Sequence, residues 1–403
     1  MNSRSDQNRS SGILMVTSSF PFYSQTFVLK EMEAFLQTFD LRVLRIKEQP
    51  STRIPWKSGE MFREKILESS KIQMLISNIG QFIYSPRLYI MTAGRVVRLH
   101  KGLSDRLKSL IVFFITIGHL PAIRRYAPSH IHSHFGNFPA LAAYLVNRFS
   151  GIPFSFNCHG TDVLLDRQML DEKSDKALFV TTVSEYNKRA LRSQLKNPCR
   201  IHVFYLGTEC PPHMLISRRE KGTLLFVGRL SPEKNVASLL RALPLVDKNL
   251  LKKAVITGDG VLSSRLQRLC GQLGLDNLVE FTGKLSHEEV KEQYARADVF
   301  ILPSYREGLP ISLLEAMAHG AVSIASEITG IPEVITDGQN GYFIKDPNNI
   351  EEIAAKITTA LQAPETVRMN GYESVKDKFN LQPNLQNKVA FFKKKLQMPQ
   401  EAD

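Results

Sequence analysis

The chain has 403 residues, of which 43% are hydrophobic and 23% charged. That length favours two domains, and the composition excludes a disordered, collagen-like or disulfide-stapled chain. The formal net charge of +13 points to an anionic partner, whether nucleic acid, anionic lipid or a phosphorylated ligand, without choosing among them.

The first twelve residues are polar, and the apolar run after them is too short for a secretory leader. The longest apolar stretch, LIVFFITIGHL at 110–120, has eleven residues, whereas a bilayer span needs about 20. The expectation is a cytoplasmic protein without a transmembrane helix. Cys158, Cys199, Cys210 and Cys270 form no CxxC pair, which suits a reducing compartment.

In chain order, ILMVT (13–17) reads as a strand, TFVLKEMEAFLQTF (26–39) as a helix and LRVLRI (41–46) as the next strand. This β-α-β start is the signature of a parallel sheet. Residues 57–127 break the rhythm with basic amphipathic patches, predicted to be helical at KILESSKIQMLISNI and LKSLIVFFITI. From Ser51 to Arg125 there are 13 Lys+Arg against 4 Asp+Glu. Lys and Arg at an anionic membrane surface contribute roughly 1 kcal/mol each, so an anionic membrane is an expected partner of this region.

The alternation then resumes, with strands at SHIHSHF, PFSFNCHG, ALFVTTVS and RIHVFYLG. CPPHMLISRREKG (210–222) reads as a linker. Beyond it the pattern restarts with TLLFVG, KAVITG, LVEFTG, DVFILP and AVSIAS, with helices intervening at about 235–246, 261–273, 287–296 and 310–319. Strands that are apolar throughout belong to sheets covered on both faces. The predicted fold class is therefore α/β, with two Rossmann-like domains facing each other across a cleft. Residues 1–212 form the first domain, with 57–127 inserted, and 213–378 the second. Residues 379–403 form a C-terminal helix crossing back to the first.

Candidate site residues fall where strands end. In SYREGLPISLLEAMAHG, Glu307 sits in the loop after DVFILP, and Pro310 suits a first helical turn because it lacks an N–H. The backbone N–H groups near 309–311 would meet an anion at the positive end of the helix dipole. Glu315 lies about 7–8 Å further along that helix, at 1.5 Å per residue. Carboxylates on either side of an anion site suit a ligand with phosphates in the middle and hydroxyl-rich ends. FVGRLSPEKN places Arg229 and Lys234 just after the second domain's first strand, where two cations can neutralise a diphosphate without a metal ion. No carboxylate pair is placed to hold Mg²⁺ there. Gly258 and Gly260 mark a strand-to-helix turn, which is either a tight turn or a nucleotide approach.

In the first domain, His159 and Asp162 of NCHGTD can meet a sugar hydroxyl or an acceptor proton, or else close a turn. Ser24, Gln25 and Thr26 can donate to phosphate or acceptor, or cap a helix. His130, His132 and His134 alternate on one sheet face like metal ligands, but without a fourth ligand they read as core or cleft histidines.

The motifs GRLSPEKN, ITGDG, TGKLSHEEV, SYREGLPISLLEAMAHGAVSIAS and GIPEVITDGQNGYFI together resemble the retaining glycosyltransferases of family 4, which have the GT-B fold. SQTFVLKEM, HIHSHFG, HGTDV and TTVSEYNK resemble the subset used in exopolysaccharide and colanic-acid-type assembly. The resemblance implies that Glu307 contacts the transferred sugar, that Glu315 holds the ribose and that Arg229 and Lys234 bind the diphosphate. It further implies that Gly308, Leu309 and Pro310 shape the donor loop and that His159 faces the donor sugar. The sequence departs from the family's Gly-Gly first loop, reading FPFYSQT there, and has Glu209 of YLGTEC where many members have an Asn-Gly-Val-Asp run.

The expected activity is transfer of a hexose, with retention, from a UDP- or GDP-linked sugar to a saccharide or lipid-linked oligosaccharide in cell-surface polysaccharide synthesis. No cofactor and no metal are expected. Three alternatives stay open: a sugar-nucleotide epimerase, a GT-B phosphorylase carrying pyridoxal on a lysine, and a nucleic-acid-binding protein, for which no recognition motif is present.

Overall fold

The computed structural model describes residues 12–20, 26–47, 61–160, 169–195, 200–214 and 218–397. The chain divides into two compact units. The first comprises residues 1–183, 187–204 and 385–403, and the second 184–186 and 205–384.

In the first unit, β1 (Gly12–Ser19), α1 (Thr26–Leu36) and β2 (Asp40–Lys47) make the opening β-α-β. Among the described residues, three α-helices follow: α2 (Lys71–Tyr84), α3 (Pro86–Leu99) and α4 (Leu103–Tyr126). Then come β3 (His130–His134), α5 (Phe138–Ser150), β4 (Phe154–Cys158), α6 (Leu170–Lys176), β5 (Phe179–Thr182), α7 (Glu185–Arg192, in this unit from Asn187) and β6 (Ile201–Val203). The six strands run parallel in the order β2-β1-β3-β4-β5-β6, with Met15 opposite Val43 on one side and His132 on the other.

Both sheet faces are covered, which is why these strands read as apolar runs. Leu14, Val16, Ile131 and Phe156 pack with Phe113 and Ile117 of α4 and Leu141 and Leu145 of α5. Ile13, Met15 and Val43 pack on the other face with Phe35 of α1 and Phe392 near the chain's end. Each such buried side chain contributes about 1.5–3 kcal/mol. The helix expected from Lys65 begins only at Lys71. Ser70 caps it, its Oγ accepting from Gln73 N while Gln73 Oε1 accepts from Ser70 N, so the chain turns there. α4 is long and apolar enough to cross a membrane by length and composition, yet half of its most apolar window is buried inside this unit.

The second unit contains β7 (Thr223–Val227), α8 (Val236–Ala242), β8 (Lys253–Thr257), α9 (Ser263–Gln272), β9 (Val279–Gly283), α10 (His287–Arg296), β10 (Val299–Leu302), α11 (Ile311–Ala318), β11 (Val322–Ser326), β12 (Tyr342–Ile344), α12 (Ile350–Leu361) and α13 (Glu365–Lys378). The last helix, α14 (Leu381–Gln397), joins the first unit from Leu385 onward. The second sheet is parallel in the order β12-β11-β10-β7-β8-β9. The chain builds outward from β7 through β8 to β9, then returns to lay β10 against the other side of β7. The strand order therefore reverses between β7 and β10, and in open α/β sheets ligands bind beyond the carboxyl ends of the strands at that reversal.

Candidate active site

The loops that follow β7 and β10 carry the second unit's candidates, because these two strands are neighbours. Lys234 Nζ donates to Glu307 Oε1 at 2.6 Å, and Ser304 Oγ donates to the same oxygen at 2.7 Å. The pair is mostly sequestered, with side-chain exposures of 18% for Lys234 and 8% for Glu307. Tyr305 N donates to Glu233 O at 2.8 Å, tying the two loops together through the backbone as well. Arg229 stands exposed two residues past β7. Ser304 was not among the sequence candidates, since nothing in the motif distinguishes it from a loop serine.

Gly308, Leu309 and Pro310 lead into α11. Leu309 is buried. Pro310 is the residue before the helix rather than a member of its first turn, because its ψ of 113° is extended. No side chain caps α11. Its leading N–H groups therefore keep their capacity for an anion.

Glu315, one turn into α11, accepts a hydrogen bond from Tyr294 Oη at 2.9 Å. Burial pushes its carboxyl up to about 7, against the lowering effect of the Tyr294 bond. Burial, then the neighbouring Glu315, holds the Tyr294 phenol far above its ordinary range. Tyr294 was also missed, because an isolated helical tyrosine reads as core.

Gly258 and Gly260 serve the chain's own backbone. Gly258 has φ +134°, and a Cβ there would lie 1.9 Å from Gly228 O; a Cβ at Gly260 would lie 2.4 Å from Leu230 O. The loops after β7 and β8 are zipped by Gly228 N to Thr257 O at 3.0 Å and Leu230 N to Asp259 O at 3.0 Å. The glycines thus permit the approach that fixes the loop bearing Arg229 and Lys234.

In the first unit, the strand order reverses between β1 and β3, and His134 is the last residue of β3. His130, His132 and His134 are fully buried on one face of the sheet. Ser155 Oγ lies 2.7 Å from His130 Nε2 and 2.8 Å from His132 Nδ1. The His159 ring stacks on that of His134, with centroids 6.0 Å apart. Across this face Lys388 Nζ of α14 donates to Glu31 Oε1 of α1 at 2.6 Å, with both groups buried. Burial, and then the Lys388 charge, holds His132 and His134 neutral, well below their ordinary range. Glu31 and Lys388 were missed, as 357 positions separate them. Among the described residues, no three His, Cys, Asp or Glu side chains are arranged to hold a metal ion. Asp162, Ser24, Gln25 and Cys199 lie outside the described residues, and of Thr26 only the backbone, opening α1, is described.

Residues 215–376 match the family described as "Glycosyl transferases group 1". An uncharacterized glycosyltransferase of Methanocaldococcus jannaschii is 29% identical over 60% of this chain and 69% of its own length. WcaL of Salmonella typhimurium, named as a putative colanic acid biosynthesis glycosyltransferase, is 24% identical over 90% of this chain and 95% of its own. Other relatives are matched over 41%, 59% and 29% of their lengths. Among solved structures, Anabaena HepE in complex with UDP and glucose superposes with a TM-score of 0.69 at 14% identity, covering 95% of this chain and all of that one.

The two parallel-sheet units are thus those of a GT-B fold, and the chain is a glycosyltransferase. Its second unit carries the group 1 glycosyltransferase domain.

Proposed function

We propose that this chain is a retaining, metal-independent hexosyltransferase. It takes its sugar from a UDP- or GDP-linked donor and gives it to a saccharide acceptor, lipid-linked, in cell-surface polysaccharide synthesis on the cytoplasmic side of a membrane. The observation that carries the reading is the Lys234–Glu307 pair at the strand-order reversal of the second sheet. The names of HepE's ligands, UDP and glucose, support a nucleotide donor, and the name of WcaL supports the polysaccharide role.

The chemistry follows from charge. The bond from the anomeric carbon to the diphosphate oxygen breaks, and a bond to the acceptor oxygen forms on the same face. Lys234, Arg229 and the N-terminus of α11 stabilise the departing diphosphate, while Glu307 accepts from the sugar's hydroxyls. The acceptor proton passes to a donor phosphate oxygen, so no protein base and no covalent nucleophile is required. Glu315 accepts from the ribose hydroxyls.

The test is a screen of UDP- and GDP-hexoses for thermal stabilisation, followed by transfer assays with and without a chelator and by NMR of the product's anomeric configuration. The expected result is stabilisation by one donor, chelator-insensitive transfer and a retained anomer. An inverted anomer or a metal requirement would refute the mechanism, and the absence of any nucleotide-sugar effect would refute the donor class.

A further inference from the structure

A surface helix in water turns its apolar side chains inward and its polar ones outward. α2 does the reverse. Its isoleucines at 72, 76, 79 and 83 recur at helical spacing and are all exposed, Ile72 and Ile83 to 72%. Its buried residues are Asn78 and Gln81. Both are satisfied: Asn78 Nδ2 donates to Met74 O and Phe114 O, and Gln81 pairs with Ser85 and Arg124.

α4 carries a companion stripe. Leu103, Leu107, Ile111 and Phe114 follow the same spacing and are exposed, Leu103 to 83%. The Asn78–Phe114 bond and a second from Ser77 Oγ to Ile117 O, at 2.7 Å, hold the two helices side by side. Ile90 and Met91 of α3 add to the exposed apolar surface.

Cations accompany these stripes. Residues 71–125 contain nine Lys+Arg and a single acidic residue, Asp105. Lys71, Arg87, Arg98, Lys101, Arg106 and Lys108 are exposed. Beside α2, a cavity of about 870 Å³ is lined by Gln81, Tyr84, Arg124 and Arg148, chemistry that suits a phosphate headgroup.

We propose that α2 and α4 form a monotopic docking surface for a bilayer containing anionic phospholipid. Apolar side chains enter the acyl boundary and the cations meet phosphates. The charge argues against a second copy of this chain as the occupant, because an isologous contact would set this basic surface against itself. The half-buried state of α4 argues against a span, because one of its faces belongs to the protein core. The proposal rests on the transferase reading only for its purpose, which is to bring the enzyme to a lipid-linked acceptor.

The experiment is co-sedimentation of the full chain, without donor or acceptor, with vesicles of phosphatidylcholine alone or with one-third phosphatidylglycerol. Partitioning onto the anionic vesicles is expected to be at least tenfold stronger. An Ile76→Ser/Ile79→Ser/Ile83→Ser variant should lose at least tenfold, with unchanged melting temperature and lipid-free molar mass. A Leu103→Ser/Leu107→Ser variant should do the same and serves if the first does not fold. Absence of vesicle binding, full binding by a folded variant, or a lipid-free dimer that the variant dissociates would each overturn the proposal. None of these results touches donor turnover, which tests the transferase reading separately.

Discussion

Lys234 Nζ lies 2.6 Å from Glu307 Oε1, across two loops that the β7–β10 pairing brings together. In the proposed reading, the bond pre-places an ammonium for the diphosphate and a carboxylate for the sugar. Lys234→Ala and Glu307→Ala should each lower kcat well over tenfold while the unit remains folded. Loss of a charged hydrogen bond of this kind costs about 1.5–3 kcal/mol. A double-mutant cycle on denaturant midpoints measures the coupling. Transfer near wild type by both variants would remove the pair from the site.

In the proposed reading, in which Glu315 accepts from the ribose, donor affinity depends on pH. Burial raises its carboxyl to about 7, so it is protonated below that pH in the unliganded unit. A ligand whose hydroxyls donate to the carboxylate binds the ionised form and must expel the proton below pH 7. Its Kd should therefore rise about tenfold per pH unit below 7 and level off above it. Glu315→Gln should abolish that slope. Tyr294→Phe removes a bond that lowers the pKa and should move the break point upward. Calorimetric titration with the nucleotide across pH 5.5–8.5 reads all three.

The fold was largely legible because parallel strands buried on both faces are written as apolar runs. TLLFV and VFIL are examples, and β7 and β10 coincide with them. β12 escaped because three residues, Tyr342–Ile344, give too little periodicity. The start of α2 was misplaced because the apolar pattern runs through Ser70, whose S-x-x-Q signature marks the cap. The loop positions of Glu307 and Lys234 could be read from strand ends. Their mutual contact could not, since it depends on strand order, and neither could Tyr294 or the Glu31–Lys388 pair, whose partners are distant in sequence, nor Ser304, which reads as an ordinary loop serine.

Gly258 tests the backbone frame beneath the site. A side chain there faces both a φ of +134° and the Gly228 carbonyl, and backbone cannot swing aside as a flexible side chain can. Gly258→Ala should destabilise the second unit by roughly 3 kcal/mol. It should also lower donor affinity by displacing the loop of Arg229 and Lys234. Gly274→Ala is the control, because it also has positive φ but open space around its Cβ. Its loss should be smaller, because φ +66° is the ordinary left-handed region and no atom stands near its Cβ. Equal melting temperatures for the two variants would show that the loops are not held by this contact.

The first unit should be acid-labile for a reason located in its histidines. His130 is lowered to about 3 by burial, and His132, His134 and His159 lie well below the ordinary value, through burial and the nearby charges. The groups facing them are Lys388, whose charge repels a proton, and Glu31, which Lys388 already occupies. A folded pKa below the unfolded one gives stability that is present above about pH 6.5 and lost as pH falls toward the folded value. Each ring lowered in this way takes stability from the folded unit as pH falls below about 6.5. Urea midpoints should fall steeply from about pH 6.5 to about pH 5.5, and His134→Gln should flatten the slope by about one proton. A midpoint independent of pH in this window would mean that the folded unit already carries these protons. The Lys388–Glu31 pair would then not be the charge that keeps the sheet face neutral.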